Sequence, residues 1–404
     1  MNLVTLAAWC AALFLAATLF SHTVALRLVL LFAGTALVLA AALRARLRDG
    51  KEISFTPPLL IPFALWAGWA ALSLAWTIDP GITRKELQNE VGYTLLAYWL
   101  CFVGAQAASA PRLFVAIGAL GAVAVCAVAL REIWFTTPGA TLLLYGGPGA
   151  FPSTLLILLP CTLAIAWYAA RRKRHVVMSF SIALLALYVV AGYAVQNRVF
   201  WFAVGVQIVL FVLLLFVCAP AASAPNRHTR PFVLTLAALA VASAAVIVVK
   251  VQGDRLGATP SEMREDTRFT LWQSELDRIA KRPLAGSGFG RGMLRRDLRN
   301  EMNNPQLWHS HNQLLDTALQ LGWTGLALLL LLFGWTAWLG WGLVCSRNEV
   351  AFACGFALLA VLAGMVIRNM TDVLWVRQSA LLYWGAVGVL LAWGMRARSP
   401  APAR

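Results

Sequence analysis

The feature that most constrains this chain is a repeating one. Apolar runs of roughly 20 residues, the length a helix needs to cross a bilayer, recur from Leu3 to Met395 with only short polar interruptions. Sixty per cent of the residues are hydrophobic and 12% are charged, and the mean hydropathy is +0.74. A water-soluble domain is excluded, because it cannot bury that much apolar material in one core. The first run has no basic leader and no small-residue cleavage site ahead of a polar region, so it reads as a retained span.

About twelve spans are predicted. They run from Leu3 to Phe20, Val24 to Leu43, Leu59 to Trp76, Val91 to Ala107, Leu113 to Leu130, and Thr154 to Ala170. The remainder are Val176 to Val195, Val199 to Ala219, Phe232 to Val251, Trp323 to Val344, Val350 to Ile367, and Leu374 to Met395. The expected organisation is therefore transmembrane helices over 1–251, an outward loop over 252–322, more transmembrane helices over 323–395, and a disordered tail over 396–404.

The net charge is +16, which in a soluble protein would point to nucleic acid through counterion release. Here the basic residues sit in short loops, as Arg44, Arg46, Arg48, Lys51, Arg171 to Arg174, Arg227, Arg230, Arg347, Arg396 and Arg398. All follow even-numbered spans, so the positive-inside rule puts them and both termini in the cytoplasm. No nucleic-acid partner is expected; the surroundings are membrane lipids. The seven cysteines lie in or beside apolar runs without metal-type spacing, so neither disulfides nor a metal site is expected.

The loop over 252–322 is the one hydrophilic stretch long enough to be a subdomain, and loops of that length are uncommon unless functional. Phe269, Trp272, Leu276 and Ile279 recur at helical spacing, which predicts an amphipathic helix from Met263 to Arg282 stopped by Pro283. Arg264 and Arg268, four residues apart, share a face of it. They are suited to clamping a diphosphate, or alternatively to pairing with Glu262, Glu265 or Asp266. The glycine-rich run Gly286 to Gly292 is either a structural turn or an anion cradle; it lacks the strand and the Lys-Ser/Thr pair of a nucleotide-binding loop.

Ser310, His311, Asn312 and Gln313 precede another apolar helix. The Ser310/Gln313 spacing is that of a capping box. It predicts His311 in the first helical turn, where the helix dipole favours the neutral imidazole a general base requires. His309 competes for that role, and on spacing alone a lone histidine at a membrane interface is more often a solvated cap residue than a catalyst. A helix from His311 to Cys345 would be about 50 Å long, so a break is expected at Gly322 or Gly325. Arg198, in the shortest outward turn, is a candidate for an anion partner, and Asp372, in the last outward turn, for orienting an Arg or an acceptor.

These residues resemble a family. His311-Asn312-Gln313 followed by Gly322-Trp323-Thr324-Gly325, Arg268 to Trp272, Pro283 to Gly288, and Trp76 to Pro80 are similar to signatures of the bacterial O-antigen ligase and polymerase superfamily. The resemblance implies an all-α polytopic glycosyltransferase of the GT-C type in the inner membrane, with its large loop and active site facing the periplasm. It implies transfer of O-antigen from undecaprenyl diphosphate to a sugar hydroxyl of a lipid A-core acceptor, with inversion and with no metal or cofactor. His311 would be the base, Arg198 and Arg268 would hold the diphosphate with Arg264 nearby, and Asn312, Gln313, His309 and Asp372 would support. An O-antigen polymerase or a protein O-oligosaccharyltransferase would use the same donor. A lipid flippase or transporter is the alternative of a different class.

Overall fold

The computed structural model describes residues 2–47, 53–135, 149–195, 197–218, 237–241, 245, 267–303, 309–373, 375 and 377–398. In lipid every backbone N–H and C=O must be satisfied within the protein, and a helix does this within one segment. Accordingly the apolar runs form helices: α1 (Leu3–Thr18), α2 (Val24–Leu47), α3 (Leu60–Leu72), α4 (Pro80–Glu86), α5 (Tyr93–Gly104), α6 (Ala110–Phe135), α7 (Ala150–Arg171), α8 (His175–Ala194) and α9 (Arg198–Cys218). Then come α10 (Thr267–Lys281), α11 (Arg295–Met302), α12 (Gln313–Val344), α13 (Glu349–Asn369) and α14 (Arg377–Arg398). Among the described residues 8 helices are long and apolar enough to cross a membrane: α2, α6 to α9, and α12 to α14. The protein is an all-α, multi-pass membrane protein.

Three expected spans are shorter than that length. The first is α1; the third is α3 with a short 3-10 turn; the fourth is α5, continued backwards by a π-helical segment, Leu87–Gly92. Most of the expected ninth span, Phe232 to Val251, falls outside the described residues, as does the tail beyond 398.

Helices α7, α13 and α14 are the innermost, while α2 and α6 keep most of their apolar surface outward. Close packing at the centre depends on small residues that let backbones approach. A side chain at Gly388 of α14 would strike the Tyr98 carbonyl, and one at Gly355 of α13 would strike the Gly340 carbonyl. Gln207 of α9 donates from Nε2 to the carbonyls of Leu156 and Ala360, each at 2.9 Å, tying α9 to α7 and α13.

The two ends of the bundle differ chemically. Arg171 and Arg172, at the end of α7, pair with Glu349 at the start of α13 (3.2 and 2.9 Å). The last residues of α14 lie beside α12, where Arg398 approaches Gly342. Among the described residues, the basic ends of α7 and α14 therefore gather at one end of the bundle, while Arg48, Lys51, Arg227 and Arg230 lie outside the described residues. The opposite end receives the start of α9, the loop containing α10 and α11, and the α13–α14 turn.

Candidate active site

The site begins with a broken helix. α12 departs from helical geometry at Gly322 (φ 70°, ψ −177°), a backbone conformation essentially restricted to glycine. The predicted break is therefore at Gly322; Gly325 continues the helix. Breaking the ladder releases backbone groups that would be costly to bury unpaired. The segment after Pro283 takes them up. Ser287 N–H donates to the Leu319 carbonyl at 3.0 Å, Gly288 N–H to that of Gln320 at 2.9 Å, and Trp323 N–H to the Pro283 carbonyl at 2.7 Å. The Trp69 indole donates to the Leu321 carbonyl (3.0 Å) and the Trp76 indole to that of Ala285 (2.8 Å).

This explains the glycines of the 286–292 run. Gly286 and Gly288 have φ of 64° and 108°, and side chains there would strike the Gln320 carbonyl and Thr77. The amides from Gly286 to Gly290 are already committed, that of Gly286 to the Arg282 carbonyl at 3.0 Å. Besides Ser287 and Gly288, Phe289 N–H donates to Ser73 Oγ (2.9 Å) and Gly290 N–H to Gln320 Oε1 (2.8 Å). Of the two readings of this run, the structure selects the turn.

The expected capping box does not form. The N-cap of α12 is Asn312, whose Oδ1 accepts from the amides of Leu314 (2.9 Å) and Leu315 (3.2 Å). Ser310 donates instead to Asp316 Oδ1 (3.3 Å), and Gln313 Nε2 to Thr317 (3.4 Å). The reason is positional: only the residue directly before the first helical turn reaches its free amides, and that residue is Asn312. His311 thus precedes the helix, in a left-handed conformation (φ 47°), and the helix-dipole argument for its charge state does not apply as stated.

That conformation turns His311 back toward His309. Their rings lie 3.9 Å apart at 36°, and both face Asp372 from the α13–α14 turn. His309 Nε2 is 3.3 Å and His311 Nδ1 3.6 Å from the same oxygen, Asp372 Oδ1. Asp372 Oδ1 also accepts the Val373 N–H (2.8 Å), and Arg368 Nη2 lies 4.0 Å from Oδ2. Asn312 Nδ2 donates to the Met370 carbonyl (3.3 Å), fastening the two turns together. Burial alone would raise the Asp372 carboxyl. Hydrogen bonds from His309, His311 and Val373, with the Arg368 charge, hold it well below the ordinary carboxylate range. His309, buried, is pushed down to about 4, chiefly by desolvation, against the opposing pull of Asp372. It is neutral at pH 7.

Behind this cluster lies α10. Its Trp272 indole donates to the Ser310 carbonyl at 2.7 Å. Its apolar face is rotated from the one expected: Ile279 is buried and Trp272 packs beside it as expected, but Leu271 is buried with them, whereas Phe269 and Leu276 are about half exposed. Glu275 shares the buried face, fully enclosed. Burial drives its carboxyl up to about 8, with the Asp316 charge adding to the shift and Ser310 and Arg278 opposing it. Beside it is a small cavity of about 60 Å³, lined at its polar end by Glu90, Arg291, Gln313, Asp316 and Gln320. Arg291 lies in the field of Asp316, Asp372 and Glu90. Glu90 accepts the Arg377 N–H at 2.7 Å, and Asp316 accepts Gln320 Nε2 at 2.6 Å.

His309, His311, Asn312 and Asp372 are therefore brought together. Arg198 opens α9, with Asn197 Oδ1 accepting the Phe200 N–H at 3.0 Å, at the same end of the bundle. Arg268 lies in the first turn of α10; Arg264 is outside the described residues. Sequence reasoning missed Glu275, Arg291 and Asp316. The available signal was a lone acid inside an apolar helical pattern, as at Asp316 among Leu314, Leu315 and Ala318.

Fold and site together define a multi-pass membrane protein with a polar, histidine-bearing site at one end of its helical bundle. Residues 193–330 match the O-antigen ligase family model, and the chain carries a domain of that family. No curated protein sequence matches this chain. The matched stretch includes Arg198, Arg268, His311 and the helix break at Gly322; Asp372 lies beyond it.

Proposed function

We propose that the protein is an O-antigen ligase. It moves O-antigen from undecaprenyl diphosphate to a sugar hydroxyl of lipid A-core at the periplasmic face of the inner membrane, without a metal. The observation that carries this reading is His311 Nδ1 lying 3.6 Å from the Asp372 carboxylate, just ahead of the first turn of α12 in the stretch that matches the O-antigen ligase family model. A carboxylate at Nδ1 keeps the proton on that nitrogen and leaves the lone pair on Nε2, the form a general base needs. Nε2 takes the proton of the acceptor hydroxyl as its oxygen bonds to the anomeric carbon. The bond from that carbon to the diphosphate breaks on the opposite face, and the diphosphate leaves with the electron pair. One displacement without a covalent sugar intermediate inverts the anomeric centre.

Arg198 and Arg268, with Arg264, are assigned to the leaving diphosphate, because a fixed guanidinium fork matches phosphate oxygens and stabilises charge as it develops. The grouping of basic loops at the other end of the bundle supports the outward orientation of the site. The concentration of ionisable groups at the bundle end, away from the centre of the spans, favours an enzyme over a transporter.

The test is transfer by purified protein from lipid-linked O-antigen to lipid A-core without ATP. His311→Ala is expected to abolish transfer while still inserting, and Arg198→Ala to weaken use of the donor. Normal turnover by His311→Ala would refute the base assignment. In a deletion strain, lipid-linked O-antigen left unattached supports the ligase; a single repeat on the core indicates a polymerase instead.

A further inference from the structure

We propose that His309, His311 and Asp372 bind a divalent transition metal of the zinc type, and that filling this site switches His311 off as a base. The inference rests on the transferase reading for its consequence, but not for the site itself. The three residues supply two imidazole nitrogens and one carboxylate oxygen, all within 4.8 Å of one another. Ligands around a tetrahedral Zn²⁺ at about 2.0–2.1 Å are separated by roughly 3.3–3.4 Å. The distances from Asp372 Oδ1 to His309 Nε2 and His311 Nδ1, 3.3 and 3.6 Å, are already close to that spacing.

The ligands are also held. His309 is buried, Asp372 Oδ1 is fixed by the Val373 N–H, and the intervening Ser310 carbonyl is pinned by Trp272. Asn312 bridges from the His311 turn to Met370. His311 is partly exposed, with 18% of its side-chain surface accessible, which gives a route of entry. Three protein ligands leave a coordination position for water, as in open zinc sites. Two imidazoles and one carboxylate suit zinc, nickel or copper; Mg²⁺ and Ca²⁺ require more oxygen ligands than are present. Arg368, 4.0 Å from Asp372 Oδ2, opposes a cation, so binding is weaker than at a closed four-ligand site and is reversible.

The consequence follows from where one proton sits. Without metal, the His311 proton is on Nδ1, facing Asp372, and Nε2 carries the lone pair. A metal bonded to Nδ1 uses that lone pair and forces the ring proton onto Nε2. The imidazole stays neutral but can no longer accept a proton from an acceptor hydroxyl. The metal is an inhibitor of a metal-independent reaction.

The full-length protein, freed of metal with EDTA and exchanged into metal-free detergent buffer, is titrated with zinc sulfate by calorimetry and with Co²⁺ by visible spectroscopy. The expected result is one Zn²⁺ per chain, a tetrahedral-type Co²⁺ spectrum abolished by Zn²⁺, and no displacement by excess Mg²⁺. His309→Ala and Asp372→Asn should each weaken binding by more than about tenfold. If His309→Ala does not fold, the wild-type Co²⁺ spectrum and Asp372→Asn decide the matter. No saturable binding, or equal binding by a folded variant, overturns the site, and normal transfer in the same preparation leaves the transferase reading intact. Added Zn²⁺ should inhibit transfer, with recovery on adding EDTA. Metal that binds through these ligands yet leaves transfer unchanged overturns the switch, and with it the role of His311 as base.

Discussion

Glu275→Gln should stabilise the protein, and by an amount that depends on pH. The side chain is fully enclosed, and Ser310 and Arg278 offset only part of what burial costs its charged form. Its carboxyl is pushed from the ordinary 4.5 up to about 8 by burial. Between those two values the folded protein keeps a proton that the unfolded chain has released, so folding stability falls as pH rises. At 1.36 kcal/mol for each tenfold change in proton affinity, about 3 kcal/mol is lost by pH 7 and about 5 kcal/mol above pH 8, as upper bounds. Glutamine has the same shape and no charge. Below pH 5 the variant should therefore match the wild type. At pH 8 to 9 its midpoint should lie several degrees higher. The assay is thermal unfolding of both proteins in the same detergent across pH 5 to 9. Parallel pH profiles would refute the reasoning, since they would mean that Glu275 is ionised at little cost in the fold.

Two further outcomes test the site and its scaffold. Asp372→Asn removes the carboxylate that keeps the proton on His311 Nδ1, and should lower transfer by about 10²–10⁴-fold, the usual contribution of a positioned base; steady-state transfer with purified donor measures it, and a loss below threefold would exclude the pairing. Gly322→Ala places a Cβ against the Leu284 backbone at φ 70° and should destabilise by more than about 2 kcal/mol, read as a lower unfolding midpoint against Gly334→Ala, where nothing lies within 4 Å.

Most of the spans were legible because their signal is local: an apolar run long enough to cross lipid has one way to satisfy its backbone, and that is helix. The break in α12 was legible for the same reason, since the helix was too long for one span and Gly322 was at hand. The cap of α12 was misassigned by two residues, because Ser310 and Asn312 are both good capping residues and spacing alone does not choose between them. Which residue reaches the first free amides depends on the turn that His311 makes, and Asn312, already bound to Met370, fixes that turn.

The sequence by itself determined that this is a membrane protein and that the helix following His311 must break, and its basic loops gave the expectation that they share one side. It also pointed separately to Arg198, Arg268 and Asp372. Only the tertiary structure decided that His309, His311 and Asp372 share one oxygen, that the 286–292 glycines serve a broken helix and leave no cradle for an anion, and that Glu275 is buried behind Ser310. The physical reason is distance along the chain. Asp372 follows His311 by a whole span and its return, and Gly288 meets Gln320 across α11, so no periodicity or spacing rule connects them. Their meeting depends on how α10, α12 and α13 pack, and packing is a property of the folded chain as a whole.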